Sequence, residues 1–151
     1  MSIFNGMNIS ASALTAQRFR MDTTSANMAN ADTTRSRLVD GEWEPYRRKM
    51  VVMEPGGHRS FSSFLNRAMG ETTGKGAGVK ISRVIEDQSP NKLVYQPEHP
   101  DANEEGYVEL PNVDPLKEMI DLMGATRSYE ANVTAFDAHK NMLLKALEIG
   151  R

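Results

Sequence analysis

The chain has 151 residues, 39% hydrophobic and 25% charged, with 18 basic against 20 acidic side chains and a net charge of −2. That size allows one ordinary domain, or two small sub-domains sharing a core, and the even charge lacks the basic stripe of a nucleic-acid binder. The longest apolar run is four residues, Met50–Met53, too short to span a bilayer, and the lack of cysteine excludes disulfides, thiolate zinc sites and cysteine nucleophiles.

At the N-terminus, Asn5, Asn8, Ser10, Ser12, Thr15 and Gln17 interrupt any apolar stretch, so no cleaved secretory signal is expected. No glycine falls between Gly6 and Gly41 and no proline before Pro45, which clears this segment for helix. Met7, Leu14, Met21 and Met28 recur every seven residues, with Phe4, Ala11, Arg18 and Ser25 at the intervening seam positions. The second column is mostly small, which lets another helix approach closely. Beyond Asp22 the run Thr-Thr-Ser-Ala-Asn-Met-Ala-Asn-Ala-Asp-Thr-Thr has poor helix propensity. This end is therefore expected to be helical only when packed.

All seven prolines lie between Pro45 and Pro115. Strand signals there are Tyr46–Met53, Val79–Ile85, Leu93–Tyr95 and Tyr107–Leu110, separated by turn-rich stretches. They are too few and too short for a barrel. Gly70–Gly76 resembles a phosphate-binding loop only loosely, because three residues rather than four separate its glycines and Gly76 follows Lys75. His99-Pro100-Asp101 reads as a turn. His58, His99 and His139 lack metal-ligand spacing, no nucleophile elbow is present, and Glu86-Asp87 and Glu104-Glu105 read as solvated pairs. No catalytic, cofactor or metal site is expected.

The C-terminal segment carries the strongest pattern. Asp114 reads as an N-cap and Pro115 as the first helical residue. Met119, Leu122, Thr126, Tyr129, Val133, Phe136, Lys140, Leu143 and Leu147 then alternate in steps of three and four, and Gly150 is a natural stop. A helix from Pro115 to Ile149 would be about 50 Å long, more than a globule of this size can cover.

The expected fold is α+β: two long terminal helices paired antiparallel as a coiled-coil-like hairpin, with a small irregular β-rich middle. The divisions fall at residues 1–34, 35–111 and 112–151. Met7, Leu14, Met21, Met28, Met119, Leu122, Tyr129, Val133, Phe136, Leu143 and Leu147 are the expected packing residues. Asn27, Asn30, Thr33, Arg127 and Asn132 are the expected register-setting polar residues, since a helical asparagine is a poor choice unless its amide is used.

Ser25-Ala26-Asn27-Met28-Ala29-Asn30-Ala31-Asp32-Thr33 resembles the N-terminal signature of the flagellar rod and hook axial proteins. Ala125–Val133, with Lys140, Met142-Leu143 and Ala146-Leu147, is similar to the other end of that family. Glu44–Arg47, Lys92–Tyr95 and Gly106–Asp114 resemble its short proximal-rod branch. Asp137 stands where the family pattern has asparagine, and Leu38–Trp43 and Ser60–Thr73 read as local variation or insertion. The resemblance implies a subunit of the hollow axial rod that crosses the bacterial periplasm. It also implies passage, unfolded and without a cleaved signal, through the flagellar type III export apparatus, and terminal helices that pair and line the inner tube. The implied partners are copies of itself and other rod subunits, with no nucleic acid, membrane insertion or cofactor. The competing readings are another short rod-family subunit and a cytosolic helical adaptor or chaperone that binds amphipathic helices.

Overall fold

The structure, a computed structural model, describes residues 4–56, 65, 69 and 78–149. His58, Gly150, the Gly70–Gly76 stretch and most of Ser60–Thr73 lie outside these residues. In chain order the elements are α1 (Asn5–Ala29), β1 (Arg37–Val39), β2 (Glu42–Glu44), β3 (Lys49–Gly56), β4 (Gly78–Glu86), β5 (Lys92–Tyr95), β6 (Tyr107–Leu110) and α2 (Pro115–Ile149). The strands form three separate two-stranded sheets, β1–β2, β3–β4 and β5–β6. The fold is α+β, with its strands in the middle of the chain, as the breaker distribution predicts. None of the helices is long and apolar enough to cross a membrane, among the described residues.

The chain divides into two compact units. One comprises Phe19–Val52 and Arg83–Thr126. It opens with the last turns of α1, which end where the sequence supplies a C-terminal cap. The Asn30 side chain donates to Ala26 O at 2.8 Å and Thr33 Oγ1 donates to Asn30 Oδ1 at 3.2 Å. The Thr-Thr-Ser-Ala-Asn stretch is helical here because its own chain covers it: Thr24 and Asn27 are both buried. Strands β1 and β2 follow as an antiparallel hairpin that pairs Leu38 with Trp43. Its turn is Asp40-Gly41, with φ of 52° and 92°, the left-handed geometry that a two-residue hairpin turn demands and that Asp-Gly favours. The segment read as local variation is thus a regular element.

Tyr46 and Arg48 were expected within a strand starting at Tyr46, but β3 begins only at Lys49. Their backbone groups are committed elsewhere: Tyr46 N–H donates to Thr33 O at 3.0 Å and Arg48 N–H to Asn112 Oδ1 at 3.0 Å. β5 and β6 pair antiparallel, with Tyr95 opposite Tyr107 and their rings edge-to-face at 5.3 Å. Val108, Pro111 and Val113 of this segment are buried, as is Ala125 of the helix that follows. Helix α2 starts as the sequence predicts. Asp114 Oδ1 accepts Leu116 N–H at 3.1 Å, and Pro115 occupies the first helical position, where a missing N–H costs nothing.

The other unit comprises Met1–Arg18, Met53–Ser82 and Arg127–Arg151. Ser12 organises it. Its hydroxyl donates to Ile9 O at 2.7 Å and accepts Val79 N–H at 3.0 Å, tying the start of β4 to α1. Gly78 lies so close to Ser12 that a side chain there would collide with the hydroxyl. At Gly6, an added Cβ would stand 2.7 Å from the His139 ring, so glycine at this position allows α1 and α2 to touch.

Candidate functional site

The largest fully buried side chains include a carboxylate and an amide, Glu118 and Asn27, each 1% exposed. A core built on such groups holds only if every polar atom is paired, and here the amide of Asn27 is saturated. Its Oδ1 accepts the Tyr46 hydroxyl and the Lys49 N–H, both at 2.9 Å. Its Nδ2 donates to Lys49 O at 2.8 Å and to Glu118 Oε2 at 3.0 Å. One side chain of α1 therefore holds the segment entering β3 and the first turn of α2.

Arg48 completes the node. Its Nε donates to Glu118 Oε1 at 2.6 Å, and its other guanidinium nitrogens lie 3.7 Å from Asp87 and 3.6 Å from Asp121. Asp121 in turn pairs with Arg20 at 3.1 Å. Two bridges therefore join α1 to α2, Asn27 to Glu118 and Arg20 to Asp121, and Thr126 Oγ1 lies 3.5 Å from Met21 Sδ. As α1 residue numbers fall from 27 to 21, their α2 partners rise from 118 to 126, so over this stretch the helices run antiparallel.

The electrostatics follow from burial and charge. Burial pushes the Tyr46 phenol above its ordinary pKa, and the Glu118 and Glu86 carboxylates add to the shift. Asp87 is held below the usual carboxylate range by hydrogen bonds from the Ser89 hydroxyl and N–H, with Arg48 adding to them. Asp101 is held down by hydrogen bonds from Arg35 and Thr34.

Beside the node a groove of about 510 Å³ opens to solvent, lined by Phe19, Asp22, Thr23, Ala26, Lys49, Val84 and Glu86. Its one hydroxyl, on Thr23, donates to Phe19 O rather than to a base. No cluster of three or more potential metal ligands occurs among the described residues. The buried groups neutralise one another, so the chemistry of this site is that of holding elements together.

Eight of the eleven expected packing residues fall on one half-buried column per helix. Met7, Leu14, Met21 and Met28 on α1, and Leu122, Tyr129, Phe136 and Leu143 on α2, are all half-buried. The companion column lies one residue earlier than apolarity suggests. On α1 it is Ser10, Gln17 and Thr24, with Ala11, Arg18 and Ser25 exposed. On α2 it is Glu118, Ala125, Asn132 and His139, whereas Met119, Val133 and Leu147 are 50%, 37% and 72% exposed.

Of the expected register-setting residues, Asn27 bridges the helices within the subunit. Asn30 and Thr33 cap α1, Asn132 donates to Ser128 O of its own helix at 2.7 Å, and Arg127 is exposed. Sequence reasoning missed Arg48 and Glu118. The available signal was Glu118, a charged residue seven before Ala125 and four before Leu122, where the buried stripe of α2 continues backwards.

Both ends of the chain match models of known families. Residues 7–35 match the flagella basal body rod protein family and residues 104–149 the C-terminal family of flagellar basal body rod FlgEFG proteins. Two terminal helices that carry these signatures around a β-containing middle define an axial protein of the flagellar basal body. The chain is 62% identical over its full length, and over all of the relative's, to flagellar basal-body rod protein FlgC of Bacillus subtilis (strain 168). It is 44% identical to the FlgC of Escherichia coli O6:H1, again over both full lengths. Against the FlgC of Borreliella burgdorferi it is 40% identical, with 99% of this chain and 98% of the relative covered. The chain belongs to the flagellar basal-body rod protein FlgC family.

Proposed function

We propose that this chain is a structural subunit of the flagellar basal-body rod that polymerises through its terminal helices into a hollow axial tube. The tube transmits torque and passes exported proteins. Supporting this reading, beyond family membership, is the uncovered apolar flank of α2. Only Glu118 and Ala125 are fully buried among its 35 residues, while Leu116, Met119, Ile120 and Met123 are exposed in steps of three, one and three. An apolar stripe of that spacing on a helix is a surface for another helix.

In the proposed mechanism the two helices pair as a hairpin along their length, and the flank docks head-to-tail on a neighbouring copy or another rod subunit. A contact of that kind does not close and so generates a filament. The exposed Arg127 is free to help set register, and the exposed Leu38–Trp43 pair of the hairpin contributes lateral contacts. The helical core comprises residues 1–34 and 112–151, with 35–111 as the middle region. Export proceeds unfolded through the type III apparatus without a cleaved signal, and the outer helical lengths order on docking, which defers the entropic cost of ordering them until assembly.

Val133→Asp tests this. Val133 is 37% exposed, so the subunit should still fold and be exported while rod assembly and swimming are lost. Normal swimming in that strain overturns the proposal.

A further inference from the structure

We infer that the Asn27–Arg48–Glu118 node selects the register in which α1 and α2 meet, rather than adding to the stability of the subunit. The apolar columns cannot make that selection. Met7, Leu14, Met21 and Met28 repeat every seven residues, as do Leu122, Tyr129, Phe136 and Leu143. A seven-residue slide of α2 brings Tyr129 to the place of Leu122, Phe136 to that of Tyr129 and Leu143 to that of Phe136, so three of the four places keep an apolar residue.

The node does not repeat. Seven residues beyond Glu118 stands Ala125, then Asn132 and His139. In the slid arrangement a methyl group would face the Asn27 Nδ2 and the Arg48 guanidinium. The guanidinium would lose its closest carboxylate and keep only Asp87 at 3.7 Å, and Asn27 Nδ2 would keep only Lys49 O, which is more costly than exchanging one apolar contact for another. Arg48 is well placed to read the register because its backbone is held independently of its side chain. Its N–H donates to Asn112 Oδ1 and its carbonyl accepts Asp87 N–H at 2.8 Å. Stability is a separate matter: replacing a whole buried ion pair by apolar residues of similar size is often neutral or favourable. A single polar seam position is enough to set register in paired helices.

Thiol cross-linking reads the register directly, because the chain has no cysteine of its own. Met21 and Thr126 touch at 3.5 Å. A short bismaleimide should therefore join Met21→Cys to Thr126→Cys in the purified full chain, and should not join Met21→Cys to Met119→Cys or Val133→Cys. In the background Arg48→Met/Glu118→Leu, which keeps Asn27 on Tyr46 and Lys49, the helices should stay folded by circular dichroism and melt close to the parent. The 21–126 product should lose most of its yield to the 21–119 or 21–133 product. Glu118→Ala alone should give the same redistribution with a lowered melting temperature.

If the apolar background gives only the 21–126 product at parental yield, the proposal is overturned. It is overturned equally if that background does not fold, since the node would then be stabilising rather than selecting. No step involves the flagellum, so the result stands apart from the rod assignment.

Discussion

Arg48 Nε and Glu118 Oε1 lie 2.6 Å apart, with their side chains 10% and 1% exposed. One comes from the segment entering β3 and the other from the first turn of α2. Ion pairs on a surface contribute little, but one removed from water is costly to break from one side only. Glu118→Ala should therefore destabilise the subunit by about 3–5 kcal/mol, read as a fall in urea midpoint of the purified chain. The double variant Arg48→Met/Glu118→Leu should recover most of that loss. A double variant as unstable as the single one would contradict this account.

Asn27→Asp preserves shape but replaces the donating amide nitrogen by an acceptor, which then faces Lys49 O and Glu118 Oε2. At neutral pH it should cost at least as much as Asn27→Ala, about 2 kcal/mol. A carboxyl group crowded by burial and a second carboxylate has a raised pKa. The penalty should shrink as pH falls and the new group regains a proton to donate. Melting temperatures of the Asp and Ala variants, compared at pH 7 and pH 5, check this.

Acid should weaken the native protein through Asp87 and Asp101. Both are held below their ordinary value of 3.8 in the folded chain. A depressed folded pKa contributes stability that is present above the unfolded value and is lost as pH falls through the folded one. Stability should therefore decline below about pH 4, and Asp101→Asn should flatten that acid limb.

Alkali acts through Tyr46, whose folded pKa is raised. Its contribution is complete below the unfolded value and is lost as pH rises through the folded one, so it should disappear above about pH 10. Tyr46→Phe should remove that alkaline loss while costing the hydrogen bond to Asn27. Spectrophotometric titration of the phenols should show one group ionising late in the native chain and normally in denaturant.

Gly78→Ala drives a methyl group into the Ser12 hydroxyl. Overpacking of this kind costs about 1–3 kcal/mol. Ser12→Ala deletes the struck oxygen at the price of the Val79 N–H hydrogen bond. The double variant should therefore be less destabilised than the sum of the singles. Strict additivity would mean that the two residues do not meet.

Much of the fold was legible because it follows from local chemistry. The Asp114-Pro115 start of α2 is a capping signal whose geometry is set within one turn, and it appears where the sequence predicts it. The strands at Val79–Ile85, Leu93–Tyr95 and Tyr107–Leu110 were found within a residue or two by alternation and β-branched content. The β1–β2 hairpin was missed although its Asp40-Gly41 turn is among the strongest short-range signals. Tyr46 and Arg48 were misplaced because their backbone partners, Thr33 and Asn112, are distant in sequence, and no local pattern announces them.

The amino-acid sequence alone determined that there would be two helices separated by turns and strands, because propensity, capping and proline exclusion operate over a few neighbouring residues. It also marked one apolar column on each helix, at Met7–Met28 and Leu122–Leu143, whose members are half-buried. Which residues complete the inner face was decided only in three dimensions. Ser10, Gln17, Thr24 and Asn27 are buried or half-buried on α1, as are Glu118, Ala125, Asn132 and His139 on α2, while Met119, Val133 and Leu147 are exposed. Hydropathy ranks side chains by their own preference for water, whereas burial of an asparagine or a glutamate depends on a partner elsewhere in the chain. Those partners, Tyr46, Lys49 and Arg48, exist only once the chain has folded.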